Sequence, residues 1–165
     1  MEPAPAPIPI PQPHEISDRE KEDAMGSYLM MFAAWGAGLP LPIINLIAAV
    51  IYFFINKKTS PFVAFHSFQS LLTQIPITLF NAGVIFWLIM IISPYAEDTV
   101  YFYSYLVFVV LWNLIYMVFS IIACLQARKG KLYYFWVFGR LAFARYFGTK
   151  AKKKREEVNR PPEGF

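Results

Sequence analysis

Residues 61–92 read PFVAFHSFQSLLTQIPITLFNAGVIFWLIMII, 32 residues without a single Asp, Glu, Lys or Arg. A charge-free apolar run of about 18 residues or more is long enough to cross a bilayer as a helix. Two further windows, 27–55 and 100–127, are also free of charge over 29 and 28 residues. Charged residues make up only 16% of the 165-residue chain and hydrophobic residues 57%. A soluble domain carries about 25% charged residues, and they are interspersed. The modest mean hydropathy of +0.43 averages apolar spans with polar tails. These windows exclude a soluble globular enzyme.

The window 61–92 also fixes its own orientation in a bundle. As a helix its 32 residues would run about 48 Å, against a hydrocarbon core of roughly 30 Å. Residues 71–92 suffice for the crossing, so the first turns should project into the interface. Ser60 followed by Pro61 is a good helix start, and Pro76 predicts a kink. His66, Gln69, Ser70, Thr73, Gln74, Thr78 and Asn81 recur at spacings of three or four, which puts them on one helix face. Polar groups facing lipid are costly, so this stripe should point inward. It serves either as interhelical glue, at about 0.6 kcal/mol per bond, or as one wall of a hydrophilic path. A weaker stripe in 100–127, Asn113, Tyr116, Ser120 and Cys124, should face it.

Outward from this span, charge is sorted by region. Residues 1–26 carry a net −4, loop 56–60 a net +2, loop 93–99 a net −2 and the tail 128–165 a net +8. Lys and Arg flanking spans mark the cytoplasmic side. This places loop 56–60 and the C-terminus in the cytoplasm, loop 93–99 outside and, with three crossings, the N-terminus outside. The pI near 9.2 then calls for no nucleic acid. The basic residues Arg140, Arg145, Lys150, Lys152, Lys153, Lys154 and Arg155 are headgroup anchors for anionic lipid, worth about 1 kcal/mol each near the surface. Tyr101, Tyr103 and Tyr105, with Tyr95 in the loop, suggest an aromatic belt at the outer interface.

The first window is interrupted. Gly36, Gly38, Pro40 and Pro42 cluster in its middle and must kink or unwind it. Either one kinked helix crosses, or a half-helix enters, breaks, and a second half follows. Before it, residues 1–13 alternate Pro in polyproline fashion, and Ser17 with Glu20 fits a capping box opening a short surface helix. After the third window, residues 128–150 are rich in aromatics and bases. Two Arg within it argue against a fourth crossing and for an amphipathic helix lying in the interface. Residues 151–165 read as a basic disordered tail.

The expected architecture is an all-α membrane protein. It comprises a tail (1–26), a three-span bundle (27–127, spans 27–55, 61–92 and 100–127) whose first span is broken by Gly and Pro, an interfacial helix (128–150) and a tail (151–165). No catalytic, cofactor or metal site emerges. The chain has two His and one Cys, no nucleophile or phosphate-binding motif, and no carboxylate inside a span to relay protons.

The segment Ser60-Pro61-Phe62-Val63-Ala64-Phe65-His66-Ser67-Phe68-Gln69 has the form PF-x-x-FH-x-x-Q after a basic loop. It resembles a pattern in a family of small bacterial multispanning membrane proteins of unknown function. It is also similar to the small multispanning component of the chloroplast inner-envelope protein translocon. Ala127 to Tyr134, with Gly130 and paired Tyr, is similar to their closing motif. The resemblance covers about residues 27–147 and directs attention to Pro61, Phe62, Phe65, His66, Gln69 and Gly130. It implies a non-enzymatic protein of the bacterial inner membrane, an accessory or structural subunit of a membrane complex related to protein translocation. Its partners would be other membrane proteins or further copies of itself. The alternative function is a small channel or transporter using the polar face of 61–92.

Overall fold

The computed structural model describes residues 9–33, 42–93, 99–148, 159 and 161–164. The expected break at Gly36, Gly38 and Pro40, the headgroup candidates Lys150, Lys152, Lys153, Lys154 and Arg155, and most of the loop 93–99, Tyr95 included, lie outside the described residues. Among those described, the fold is all-helical. It consists of α1 (Asp18–Leu29), a 3₁₀ turn (Met30–Phe32), α2 (Pro42–Asn56), α3 (Pro61–Ile92), α4 (Val100–Arg128) and α5 (Trp136–Phe147).

Each start and stop has a local cause. The Ser17 hydroxyl accepts from the Glu20 N–H at 3.3 Å, while the Glu20 carboxylate accepts from the Ser17 N–H at 2.9 Å, so the capping box opens α1. Ser60 caps α3 through the Val63 N–H at 3.3 Å, and Pro61 occupies its first position. α3 runs unbroken through Pro76. α4 ends on Gly130, whose φ of +71° suits a residue without Cβ. The Gly130 N–H reaches the Ala127 carbonyl at 2.9 Å and the Lys131 N–H reaches Gln126 at 3.0 Å, which is a Schellman closure.

Among the described residues two helices, α3 and α4, are long and apolar enough to span. Only 6% and 22% of their most apolar windows are buried inside the protein, so these are not the core helices of a soluble fold. The expected first span instead forms two shorter helices that fold back on each other. Ser27 and Tyr28 of α1 contact Ser70 and His66 of α3, and Glu20 lies near Ser60, so α1 runs parallel to α3. A loop at 57–60 joins α2 to α3, and Phe53 meets Phe68 at 5.6 Å, so α2 is antiparallel to α3 and therefore to α1. The Tyr52 hydroxyl closes this pair by donating to the Asp23 carbonyl at 2.8 Å.

This geometry gathers four helix ends. The start of α1, the end of α2, the start of α3 and the end of α4 share one end of the molecule. Arg128 and Glu22 form a 3.0 Å ion pair there. It also corrects the expectation of a surface helix after Ser17. Ala24, Ser27 and Tyr28 are buried against α3 and α4, because α1 carries small residues where Ala123 and Ala127 approach it.

The molecule thus has a packed head and a two-helix stem. Buried positions on α3 run from Phe62 to Thr78 and stop. Beyond them α3 meets α4 through Trp87–Phe102 and Phe80–Phe108 ring contacts at 5.7 and 5.6 Å. The belt residues Tyr101 and Tyr103 are exposed, whereas Tyr105 turns inward to the Phe80 carbonyl at 3.0 Å. At the head, α5 lays Gly139, Ala142, Phe143 and Phe147 on α3 and leaves Arg140 and Arg145 exposed. The described C-terminal residues contact the head. Asn159 is 2% exposed; it accepts from the Leu132 N–H and donates to the Pro11 carbonyl, both at 2.8 Å.

Candidate functional site: a buried polar junction in the head

The polar face of α3 enters the head where three segments meet. His66 and Gln69, one turn apart, point at α1 and at the 131–135 stretch that links α4 to α5. Neither is exposed to solvent. The Tyr28 hydroxyl lies 2.9 Å from His66 Nδ1, and Gln69 Nε2 donates to that hydroxyl at 2.8 Å. The same amide donates to the Tyr133 carbonyl at 2.8 Å, and its Oε1 accepts from the Phe135 N–H at 3.3 Å. Gln69 therefore ties α1, α3 and the linker with one side chain. This makes sense physically, since residues 131–135 are not helical and their backbone groups need partners where water is excluded.

Rings fix the orientation of these groups. Phe62 and Phe65 stand edge-on to the His66 ring at 4.6 and 5.0 Å, and Tyr28 does so at 5.7 Å. α5 seals the junction from outside. A Cβ on Gly139 would lie 2.8 Å from Gln69 Oε1 and 2.7 Å from the Tyr134 Cα, so only glycine lets α5 sit this close. Burial holds the Tyr134 phenol above the usual tyrosine range, so it stays neutral across ordinary pH.

Deeper along α3 the partners change. The Ser70 hydroxyl donates to the Ser27 carbonyl at 2.7 Å, and Thr73 donates back to the Ser70 carbonyl at 2.8 Å. Thr78 is buried. Asn81 and Asn113 exchange reciprocal amide bonds at 3.1 and 3.2 Å, joining α3 to α4 in the stem. On α3, three buried groups find no hydrogen-bond partner among the described residues: the Gln74 amide, the Ser67 hydroxyl and His66 Nε2. The His66 ring also lies near the Lys131 backbone.

The stripe therefore points inward as its spacing requires. His66, Gln69 and Ser70 engage α1 and the linker; Thr73 meets Tyr116 and Asn81 pairs with Asn113 on the expected face of α4. Phe62 and Phe65 are buried beside His66, Pro61 is an exposed helix start, and Gly130 is the α4 cap. Pro42 opens α2. Arg145 stacks its guanidinium 4.8 Å from the Phe68 ring, and Arg140 donates to the Glu163 carbonyl at 2.7 Å.

Five contributors escape a sequence reading. Tyr28 carried a signal, an aromatic with a polar tip at the edge of an apolar window. The Tyr133 and Phe135 contributions come from backbone atoms, which have no sequence signature. Gly139 and Asn159 act through proximity that only the fold creates. Among the described residues, no group of three or more His, Cys, Asp or Glu converges to hold a metal ion. No carboxylate accompanies His66, so the cluster offers hydrogen bonds and shape rather than an acid–base pair.

Comparison with known proteins gives one match, and it spans this junction. Neither the curated proteins nor the solved structures contain a match, and nothing supports the likeness to the chloroplast translocon component. A family model described as the magnetosome magnetite crystal formation protein family, MamF/MmsF, matches residues 23–142. That region runs from α1 into α5 and includes both spanning helices together with Tyr28, His66, Gln69, Tyr133 and Gly139. With well over half of its length matched, this membrane protein belongs to the magnetosome magnetite crystal formation protein family, MamF/MmsF.

Proposed function

We propose that the chain is a non-enzymatic structural or accessory subunit of the membrane in which magnetite crystals form. The observation that carries this reading is the use made of the polar face of α3. His66, Gln69 and Ser70 hold α1 and the 131–135 linker in place, so the face serves assembly rather than chemistry. Head and stem then act as a scaffold whose surfaces meet other membrane proteins or further copies, with Arg140, Arg145 and the bases from Lys150 to Arg155 against anionic lipid. Lys57, Lys58, Arg128, Lys129 and Lys131 flank the head end, which supports a cytoplasmic head on a multi-pass protein of inner-membrane type. Both described terminal segments then lie on that side.

The test is genetic. The coding sequence is deleted from a magnetite-forming bacterium and restored as wild type or as Gln69→Leu, and crystal number and size are measured by electron microscopy. Deletion should alter the crystals, wild type should restore them, and Gln69→Leu should restore them only in part. Crystals indistinguishable after deletion would overturn the reading.

The orphaned Gln74 amide and Ser67 hydroxyl favour a second reading, a small channel or transporter. Unpaired buried polar groups are where water or a solute would sit. Single cysteines at Gln69, Thr73, Gln74, Thr78 and Asn81, in a chain lacking Cys124, would be challenged with a water-soluble thiol reagent. Uniform protection refutes the channel; reaction at the mid-span positions refutes the scaffold.

A further inference from the structure

Between the stem and the head lies a cleft of about 540 Å³. Pro76 and Ile77 of α3 form one wall, and Trp112, Ile115 and Phe119 of α4 the other. The chain from Tyr133 to Phe138 closes the end nearest the head. A second, more open hollow adjoins it. The two share Trp136 and Val137, and the second ends on Arg140, Leu141 and Ala144.

We infer that these joined hollows bind one glycerophospholipid with an anionic headgroup, its acyl chain in the cleft and its phosphate on Arg140. The volume falls within the roughly 300–1,000 Å³ of small-ligand sites. The walls are overwhelmingly apolar, which excludes a polar solute. Both walls belong to the spanning helices, whose outer faces are solvated by lipid, so the molecules that reach the mouth are lipids.

The second hollow supplies the complementary charge. Arg140 is exposed, one turn from Trp136 on α5. Trp136 is 90% exposed at the end of α5 nearest the cleft, as suits an amphipathic ring at a headgroup boundary. The Glu163 carbonyl takes one Arg140 N–H at 2.7 Å and so orients the guanidinium. Among the described residues no carboxylate forms an ion pair with it. A guanidinium has five N–H donors in a fixed fork, well matched to phosphate oxygens. An apolar cleft that shares Trp136 and Val137 with a hollow ending on Arg140 is complementary to an acyl chain carrying a phosphate. A helix of a second copy would match the first hollow and leave the second unexplained.

The full chain, purified in mild detergent, is loaded with phosphatidylglycerol or phosphatidylcholine and examined by native mass spectrometry after detergent washing. The wild type should keep one phosphatidylglycerol per chain. Arg140→Gln should lower the preference for phosphatidylglycerol over phosphatidylcholine about fivefold, the ratio for ~1 kcal/mol from one basic group near an anionic surface. Ile115→Trp, which fills the cleft, should lose retained lipid with either headgroup. Leu111→Trp, a lipid-facing change one turn away and outside the cleft, should keep it. Retention untouched by Ile115→Trp, or a headgroup preference untouched by Arg140→Gln, refutes the site. So does a wild type that runs as a dimer cross-linking through Ile115→Cys, which would make the cleft a contact between copies.

Discussion

Replacing Gln69 with Leu removes the amide and keeps most of its volume, so the change reads the hydrogen bonds rather than a cavity. Three partners are affected. The Tyr28 hydroxyl retains His66 Nδ1 at 2.9 Å and loses little. The Tyr133 carbonyl and the Phe135 N–H lose the partner they have at 2.8 and 3.3 Å. A buried polar group left unsatisfied costs about 1–3 kcal/mol. Both sites are only part-buried, so the lower half of that range applies to each, and the sum is about 2–4 kcal/mol. An ordinary interhelical bond within a membrane is worth about 0.6 kcal/mol. Asn81→Leu, which removes the two reciprocal bonds to Asn113, should therefore cost only about 1 kcal/mol. Both are measured as equilibrium unfolding in mixed micelles with increasing dodecyl sulfate, followed by circular dichroism. Amide hydrogen exchange in Leu132–Phe147 should rise in Gln69→Leu and not in Asn81→Leu. If Gln69→Leu costs no more than Asn81→Leu, the junction is ordinary glue and the reasoning that singles out Gln69 is wrong.

Other outcomes follow from the same geometry. Gly139→Ala should destabilise by about 1–3 kcal/mol through overpacking, because its Cβ would meet the Tyr134 backbone at 2.7 Å; the melting temperature in detergent reads this directly. Ser17→Ala should cost about 1 kcal/mol at neutral pH by removing the cap. The Ser17 hydroxyl, donating at 2.6 Å, holds the Glu20 carboxyl below its ordinary value of 4.5. The contribution of Glu20 is therefore present above that value and fades as pH falls through the lower folded one. The stability gap between wild type and Ser17→Ala should narrow below about pH 4, and an unchanged gap at pH 3 and pH 7 would contradict it. Topology reporters inserted at His14 and at Glu163 should report the same side of the membrane; opposite sides would contradict the Glu22–Arg128 pairing.

The long helices were legible because their signal is local. A charge-free window, a Ser–Pro start and a polar face at spacings of three and four need no knowledge of neighbours, and α3 and α4 follow from them directly. The capping box at Ser17 was equally plain. The course of the first window was not. Its Gly and Pro leave both a crossing and a turning-back course open, and local sequence does not choose between them. The deciding contacts, Tyr52 to Asp23 and Glu22 to Arg128, join residues 29 and 106 positions apart and leave no local trace. The candidate site divides the same way. His66 and Gln69 stand out from the sequence as polar groups in a span. Their partners Tyr133 and Phe135 contribute backbone atoms, and Gly139 contributes the absence of one.

The division of α3 into head and stem explains where specificity resides. Lipid is as apolar as a leucine side chain, so spanning helices gain little from the hydrophobic effect when they associate and depend on close packing and polar contacts. From Leu79 to Ile92 the helix offers aromatic packing and the Asn81–Asn113 pair, enough to hold a hairpin but little to define a unique surface. From Phe62 to Thr78 it offers buried rings and a run of hydrogen bonds to α1, to itself and to the linker. The backbone of 131–135 can leave helical form while packed against the head because Gln69 satisfies it and Gly139 lets α5 cover it. The linker in turn fixes α5, and with it Arg140, Arg145 and the cleft. A change at Gln69 should therefore act at a distance, on surfaces it never touches, by releasing the segment that positions them.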